Sequence, residues 1–209
     1  MKKFALLLAP LVLVACQSNV VDTTAEVSSS SAAASSEAAM VAAAYTGTRT
    51  TVDASQSTLT FVGGSSIIDH DGKFDAYTVT ITPSAETPSD FTKATVAATI
   101  DLTSAKTDSQ GLDGHLQKAD FFDTANHAEA TFTSTGILQD GDANHYDIVG
   151  DLTIKGVTKS ITIEATVTDD GIEAEFEIPR KDYGIGNDSY GDKLLDEQIP
   201  VKAHLVFQA

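Results

Sequence analysis

The sequence predicts one antiparallel all-β domain. Three observations predict it: apolar residues recur at every second position, turn-forming pairs separate the alternating runs, and the connections are too short for crossover helices. A period of two sends successive side chains to opposite faces of a sheet, so each strand shows one oily face that must be hidden.

In chain order, Leu59 and Phe61 alternate with Thr58 and Thr60, and Tyr77, Val79 and Ile81 alternate with Thr78, Thr80 and Thr82. Val96, Ala98, Ile100 and Leu102 form the next apolar row, followed by Tyr146, Ile148, Gly150, Leu152 and Ile154. Ile161, Ile163, Ala165 and Val167 come next, then Ile172, Ala174, Phe176 and Ile178, and last Ile199, Val201, Ala203, Leu205 and Phe207. Asp140-Gly141-Asp142, Lys155-Gly156 and Asp169-Asp170-Gly171 separate these runs, with glycine expected to supply the positive φ of tight hairpins.

One stretch breaks the alternation. Between Ser109 and Ala119, Leu112 and Leu116 fall at helical spacing, which predicts a short helix or turn. The following Asp120-Phe121-Phe122-Asp123 is expected to plug one end of the core. About eight strands with one oily face can pack as a sandwich or close into a barrel, and periodicity alone does not choose. A membrane-spanning barrel also alternates, but its outward face here would be mostly threonine, and the chain has no tryptophan for an interfacial girdle.

Residues 1–15 read as an export signal: Lys2 and Lys3, the apolar run Phe4 to Val14, and Ala15 immediately before Cys16. The apolar run is too short to cross a bilayer, which takes roughly 20 residues. The junction resembles a bacterial lipobox. That resemblance implies acylation of Cys16, and Gln17 in the next position would direct the lipoprotein to the outer membrane of a Gram-negative cell. Cys16 is the only cysteine, so no internal disulfide competes for it. From Cys16 to Ala44 the Ser/Ala-rich composition reads as a disordered tether, and residues 45–209 as the folded domain.

The formal charge is −17, and loss of Lys2 and Lys3 with the signal leaves −19. Such acidity excludes nucleic acid as an expected partner, because cations must replace phosphate counterions. Enzyme classes find no support: the five histidines (His70, His115, His127, His145 and His204) lack metal-ligand spacing, and no nucleophile elbow appears. Asp140 to Asn144 alternates carboxylates as a calcium loop does, without the later glycine and glutamate, and reads as a solvated hairpin. No metal, cofactor or catalytic residue is expected.

Several stretches together match, in order, the pattern of the YceI-like family. They are Thr51-Val52-Asp53 with Ser57 to Phe61, Gly114-His115-Leu116 before Asp120 to Asp123, and Ala130-Thr131-Phe132. The pattern continues through Val149 to Lys159, Arg180 to Gly186, and Gly191-Asp192. The resemblance covers about Thr50 to Phe207 and departs from the family's usual form at Gly63 to His70. It implies a lipocalin-like eight-stranded antiparallel barrel with one short helix, holding a long polyisoprenoid in its lumen outside the cytoplasm.

A lumen of that kind would be lined by Phe61, Tyr77, Val79, Ile81, Ala98, Ile100, Phe132 and Ile148. Gly150, Leu152, Ile163, Ala165, Ala174, Phe176, Val201 and Leu205 complete the expected set. Small residues among large ones either leave a tunnel or let opposite walls interdigitate. A prenyl pyrophosphate would need cations for its head, for which Arg180, His115 and Lys118 are the candidates, with Asp182 and Tyr183 beside the arginine. A quinone-like isoprenoid would need none. The expected function is therefore non-catalytic lipid carriage in the cell envelope. The alternative is a ligand-free structural or stress-response lipoprotein whose lumen its own side chains fill.

Overall fold

The computed structural model describes residues 43–65, 67–186 and 195–209. The expected signal, Cys16, nearly all of the expected tether and the Gly191-Asp192 motif lie outside the described residues. Hydrogen bonding to the domain begins slightly ahead of residue 45: Asp169 N donates to the Ala43 carbonyl at 3.1 Å, and Ala44 bridges Thr168.

Among the described residues the fold is a curled antiparallel sheet of ten strands with one short α-helix. In chain order the strands are β1 (Thr58–Gly64), β2 (Asp69–Phe74), β3 (Tyr77–Thr82), β4 (Thr95–Asp101) and β5 (Ala105–Thr107). The helix α1 (Gln110–Leu116) follows, then β6 (Glu129–Gln139), β7 (His145–Ile154), β8 (Val157–Val167), β9 (Gly171–Pro179) and β10 (Gln198–Val206). Their order in the sheet is β3-β4-β6-β7-β8-β9-β10-β1-β2-β5, with every ladder antiparallel. The two ends of this ladder belong to neighbouring pieces of chain. Asp75 N donates to the Ser104 carbonyl and Asp101 N to the Ala76 carbonyl, linking the β2–β3 and β4–β5 connections. Thr51 bridges Thr80 and Val52 bridges Phe207, so the segment before β1 spans from β3 to the end of β10.

The alternating runs form strands where expected, and the sequence reading missed three others. In β6 a bulge between Ser134 and Gly136 shifts the phase, so Ala130 and Phe132 face inward at even positions while Ile137 does so at an odd one. Strand β2 reads Asp-His-Asp-Gly-Lys-Phe, without an apolar row, and β5 has three residues. On the outward face, Thr78, Thr99, Thr131, Thr153 and Thr158 stand opposite one another across five consecutive strands. Such cross-strand threonines suit a solvated β surface, and the Thr153 and Thr158 hydroxyls lie 2.8 Å apart.

The turns follow their chemistry with one correction. Lys155 (φ 51°) and Gly156 (φ 73°) form the two-residue hairpin with positive φ at both central positions that matches strand twist. Gly171 does not supply positive φ; it opens β9, where a Cβ would stand 1.9 Å from the Leu205 carbonyl oxygen of β10. Gly171→Ala is expected to cost about 1–3 kcal/mol, read as a lower urea midpoint at unchanged slope.

One pole is solid. Tyr45 packs edge-on against Phe91 (5.2 Å between centroids), Phe91 against Tyr146 (5.0 Å), and Tyr45 against Phe207 (6.4 Å). Phe91 sits on a single 3₁₀ turn capped by Asp90, whose carboxylate accepts from Thr92 N at 3.0 Å. Val167, near the end of β8, is fully buried.

Candidate functional site

Beyond the plug the inward faces do not meet. They enclose a cavity of about 460 Å³, within the range of roughly 300–1,000 Å³ usual for ligand pockets. Thirteen of the sixteen residues expected in the lumen line it: Phe61, Tyr77, Val79, Ala98, Ile100, Phe132, Ile148, Leu152, Ile163, Ala174, Phe176, Val201 and Leu205.

Ile81, Gly150 and Ala165 do not line it. Ile81 and Ala165 are buried in the walls away from the open space. Gly150 faces inward but lies beneath the Phe132 ring, whose nearest atom would be 2.4 Å from a Cβ there. Small residues thus act in two ways. Ala98 and Ala174 leave room in the lumen, whereas Gly150 lets a neighbouring ring fold over the wall.

The sequence reading placed a short helix and a Phe121-Phe122 plug at one end of the core, but it left Leu112, Leu116, Phe121 and Phe122 out of the expected lining, along with part of the wall. Leu112, His115 and Leu116 of α1 line the cavity together with Phe121 and Phe122 of the next turn. Phe74 joins Phe61 (5.1 Å) to Phe122 (6.1 Å) in an aromatic run toward that cap. The helical spacing of Leu112 and Leu116 marked the helix, and its position over the lumen is what the spacing alone did not give. Nothing comparable marked β2, whose His70 and Phe74 also reach the cavity.

The expected head-group residues separate. Arg180 lines the cavity and is 2% exposed. Its guanidinium donates to four backbone carbonyls: Nε to Asp196 (2.7 Å), Nη1 to Ile185 (2.9 Å) and Gly186 (2.8 Å), and Nη2 to Leu195 (3.2 Å). That cage occupies the fork that a phosphate would need. His115 also lines the cavity, with its Nε2 3.5 Å from Asp120 Oδ2 and its ring edge-on to Phe121. Lys118 and Asp182 are exposed and outside the lining. Tyr183 is buried, also outside it, and its hydroxyl is pushed up in pKa by burial and then by the Asp182 carboxylate.

Other polar contacts hold the cap in place. Lys155 Nζ donates to the Ala119 carbonyl (3.0 Å) and the Gly184 carbonyl (2.8 Å), and Gly186 N donates to the Asp120 carbonyl (2.7 Å). At the start of α1 the Asp113 carboxylate accepts from Thr107 N (2.7 Å) and the Thr107 hydroxyl (2.8 Å). These bonds, the hydroxyl's first, hold its pKa below the usual carboxylate range. A depressed folded pKa contributes stability that is present above the unfolded value and lost as pH falls through the folded one. The Thr107 amide is therefore expected to exchange faster as pH drops below about 4, after correction for intrinsic rates, and Asp113→Asn is expected to remove that pH dependence. Hydrogen exchange measured by NMR checks both.

Among the described residues, no group of three or more histidine, cysteine, aspartate or glutamate side chains could hold a metal ion. The site is a mostly apolar cavity with a few polar side chains in its lining, of a chemistry suited to a hydrocarbon chain.

Known proteins carry the same architecture. The crystal structure of BcnA from Burkholderia cenocepacia superposes with a TM-score of 0.67 at 24% identity, covering 74% of this chain and 98% of that one. A polyisoprenoid binding domain from Saccharophagus degradans, implicated in plant cell wall breakdown, gives 0.54 at 21% identity over 76% of this chain and 97% of its own. Protein YceI of Escherichia coli O157:H7 is 46% identical over 103 residues, which are 44% of this chain and 53% of that protein. The chain thus spans about half the length of the relatives it matches in sequence. The YceI-like domain pattern itself matches residues 51–207, from the segment that bridges β3 to the last residues after β10, and the chain belongs to the YceI-like family.

Proposed function

We propose that this chain is a non-catalytic carrier of an apolar isoprenoid-type lipid, held within the curled sheet in the bacterial cell envelope and anchored to a membrane through an acylated Cys16. The observation that carries the reading is the continuous apolar cavity of about 460 Å³. A prenyl tail is the chemistry that such a space suits, because each methylene taken from water contributes about 0.8 kcal/mol. The polyisoprenoid-binding neighbour and the family membership support the same class of ligand.

In this reading the sheet is a closed eight-stranded barrel. Strands β2 and β3 count as one bent strand and β4 with β5 as another, since the registers Phe74 with Ala105 and Tyr77 with Ile100 continue the same antiparallel pairing across a kink. The head of the ligand is uncharged, as in a quinone or a free alcohol. Support comes from the carbonyl cage around Arg180 and the position of Lys118 outside the cavity.

Titrating the full chain with a long-chain prenylquinone, and with a prenyl pyrophosphate of the same tail, tests both parts. The quinone is expected to saturate at one per chain and to bind at least ~10-fold tighter, since a buried anion without a free cation is costly. Tighter binding of the pyrophosphate would overturn the uncharged head. Failure of both to bind would leave the ligand-free scaffold.

A further inference from the structure

The hairpin between β1 and β2 carries two adjacent exposed apolar side chains, one of them the most exposed large hydrophobic among the described residues. Ile67 is 81% exposed and Ile68 57%. Their outward placement is built in. Ser65 N donates to the Ile68 carbonyl (3.0 Å), and the Ser65 hydroxyl accepts from the backbone N–H groups of Ile67 (3.3 Å) and Ile68 (3.2 Å). Ser65 is itself bridged to Leu195 at the cavity rim.

Position decides what such a tip can touch. Ile68 is at once an exposed residue and part of the cavity lining, so the apolar tip adjoins the cavity. We propose that the Ile67-Ile68 hairpin tip is a docking element that seats the cavity mouth on a lipid bilayer, at a patch of uncharged or zwitterionic lipid. The proposal rests on the carrier reading, since it is the cavity's hydrocarbon cargo that makes a bilayer the occupant. Local charge selects the lipid. Asp69 and Asp196 converge beside Gly64, and Glu177 and Glu197 line the adjoining recess, so anionic head groups meet carboxylates there. Two exposed isoleucines insert, and the acidic rim stays in the aqueous head-group layer.

Flotation with phosphatidylcholine vesicles tests this, using the chain from residue 16 onward with Cys16→Ser so that no acyl group holds it to the membrane. Ile67→Ser is expected to weaken vesicle binding ~10-fold, the loss anticipated for one fully exposed Ile that becomes buried. Leu138→Ser, which removes a large exposed apolar side chain elsewhere (63% exposed, on the β6–β7 hairpin), is expected to change nothing. Adding phosphatidylglycerol to the vesicles is expected to weaken binding. An unchanged Ile67→Ser variant, an equal loss in Leu138→Ser, or stronger binding to anionic vesicles would overturn the proposal. So would the absence of vesicle binding alongside an Ile67-dependent dimer in sedimentation, which would make a second copy the occupant. Extracting lipid from the same samples separates the two ideas: an empty lumen with intact docking sinks the carrier reading, and a filled lumen without docking sinks only this one.

Discussion

Arg180→Met is expected to lower the melting temperature by about 10 °C. Arg180 is nearly fully buried and holds four carbonyls from residues 185–186 and 195–196. A methionine of similar length fills the space but leaves those oxygens facing an apolar group. Stranding buried partners of a charged donor costs about 3–5 kcal/mol, and in a domain of this size each kcal/mol is worth about 2–4 °C. Arg180→Lys is expected to recover less than half, because one ammonium cannot reproduce a planar fork that reaches carbonyls on two segments. Calorimetry reads both. A melting temperature unchanged by Arg180→Met would show that the cage adds nothing to stability and would reopen Arg180 as a ligand group.

The second large effect is on binding. Ala174 of β9 lines the cavity, so Ala174→Phe places a ring in the lumen. Prenylquinone affinity is expected to fall ~10²-fold as the tail loses its space. Stability is expected to change by less than about 1.5 kcal/mol, because the ring enters a void instead of a packed core. Ile81→Ala removes apolar bulk outside the lining and should show the opposite pattern, lower stability with affinity retained. Quinone titration beside urea unfolding separates the two variants.

Strands β7 to β10 were legible in the sequence because each keeps one phase from end to end and each turn announces itself, as at Lys155-Gly156. Strand β6 was hidden by its bulge, which changes the phase midway. Strand β2 was hidden because its partners hold it in place while its own sequence is polar: Gly72 pairs with Phe61 on one side and Thr107 on the other. The lumen was largely legible since period two names the inward face. How deep the hollow runs was not. Ile81, Gly150 and Ala165 share that face yet lie outside the cavity, Gly150 because the Phe132 ring of the neighbouring strand covers it.

Arg180 shows a different limit. As one of the chain's two arginines, placed at a strand end, it looked like a cation for an anionic head, but its partners are the carbonyls of residues 185–186 and 195–196. Backbone carbonyls carry no signature in a sequence. The cap was half legible, through the spacing of Leu112 and Leu116 and the paired Phe121 and Phe122, while the latch from Lys155 to Ala119 and Gly184 was not.

Carriage by the hollow sheet is tested most directly by purifying the chain from its own host under gentle, detergent-free conditions and extracting it for mass spectrometry. One isoprenoid-type lipid per chain is the expected result, depleted in the Ala174→Phe variant. A chain that emerges free of lipid, or a lipid content indifferent to that substitution, would contradict it.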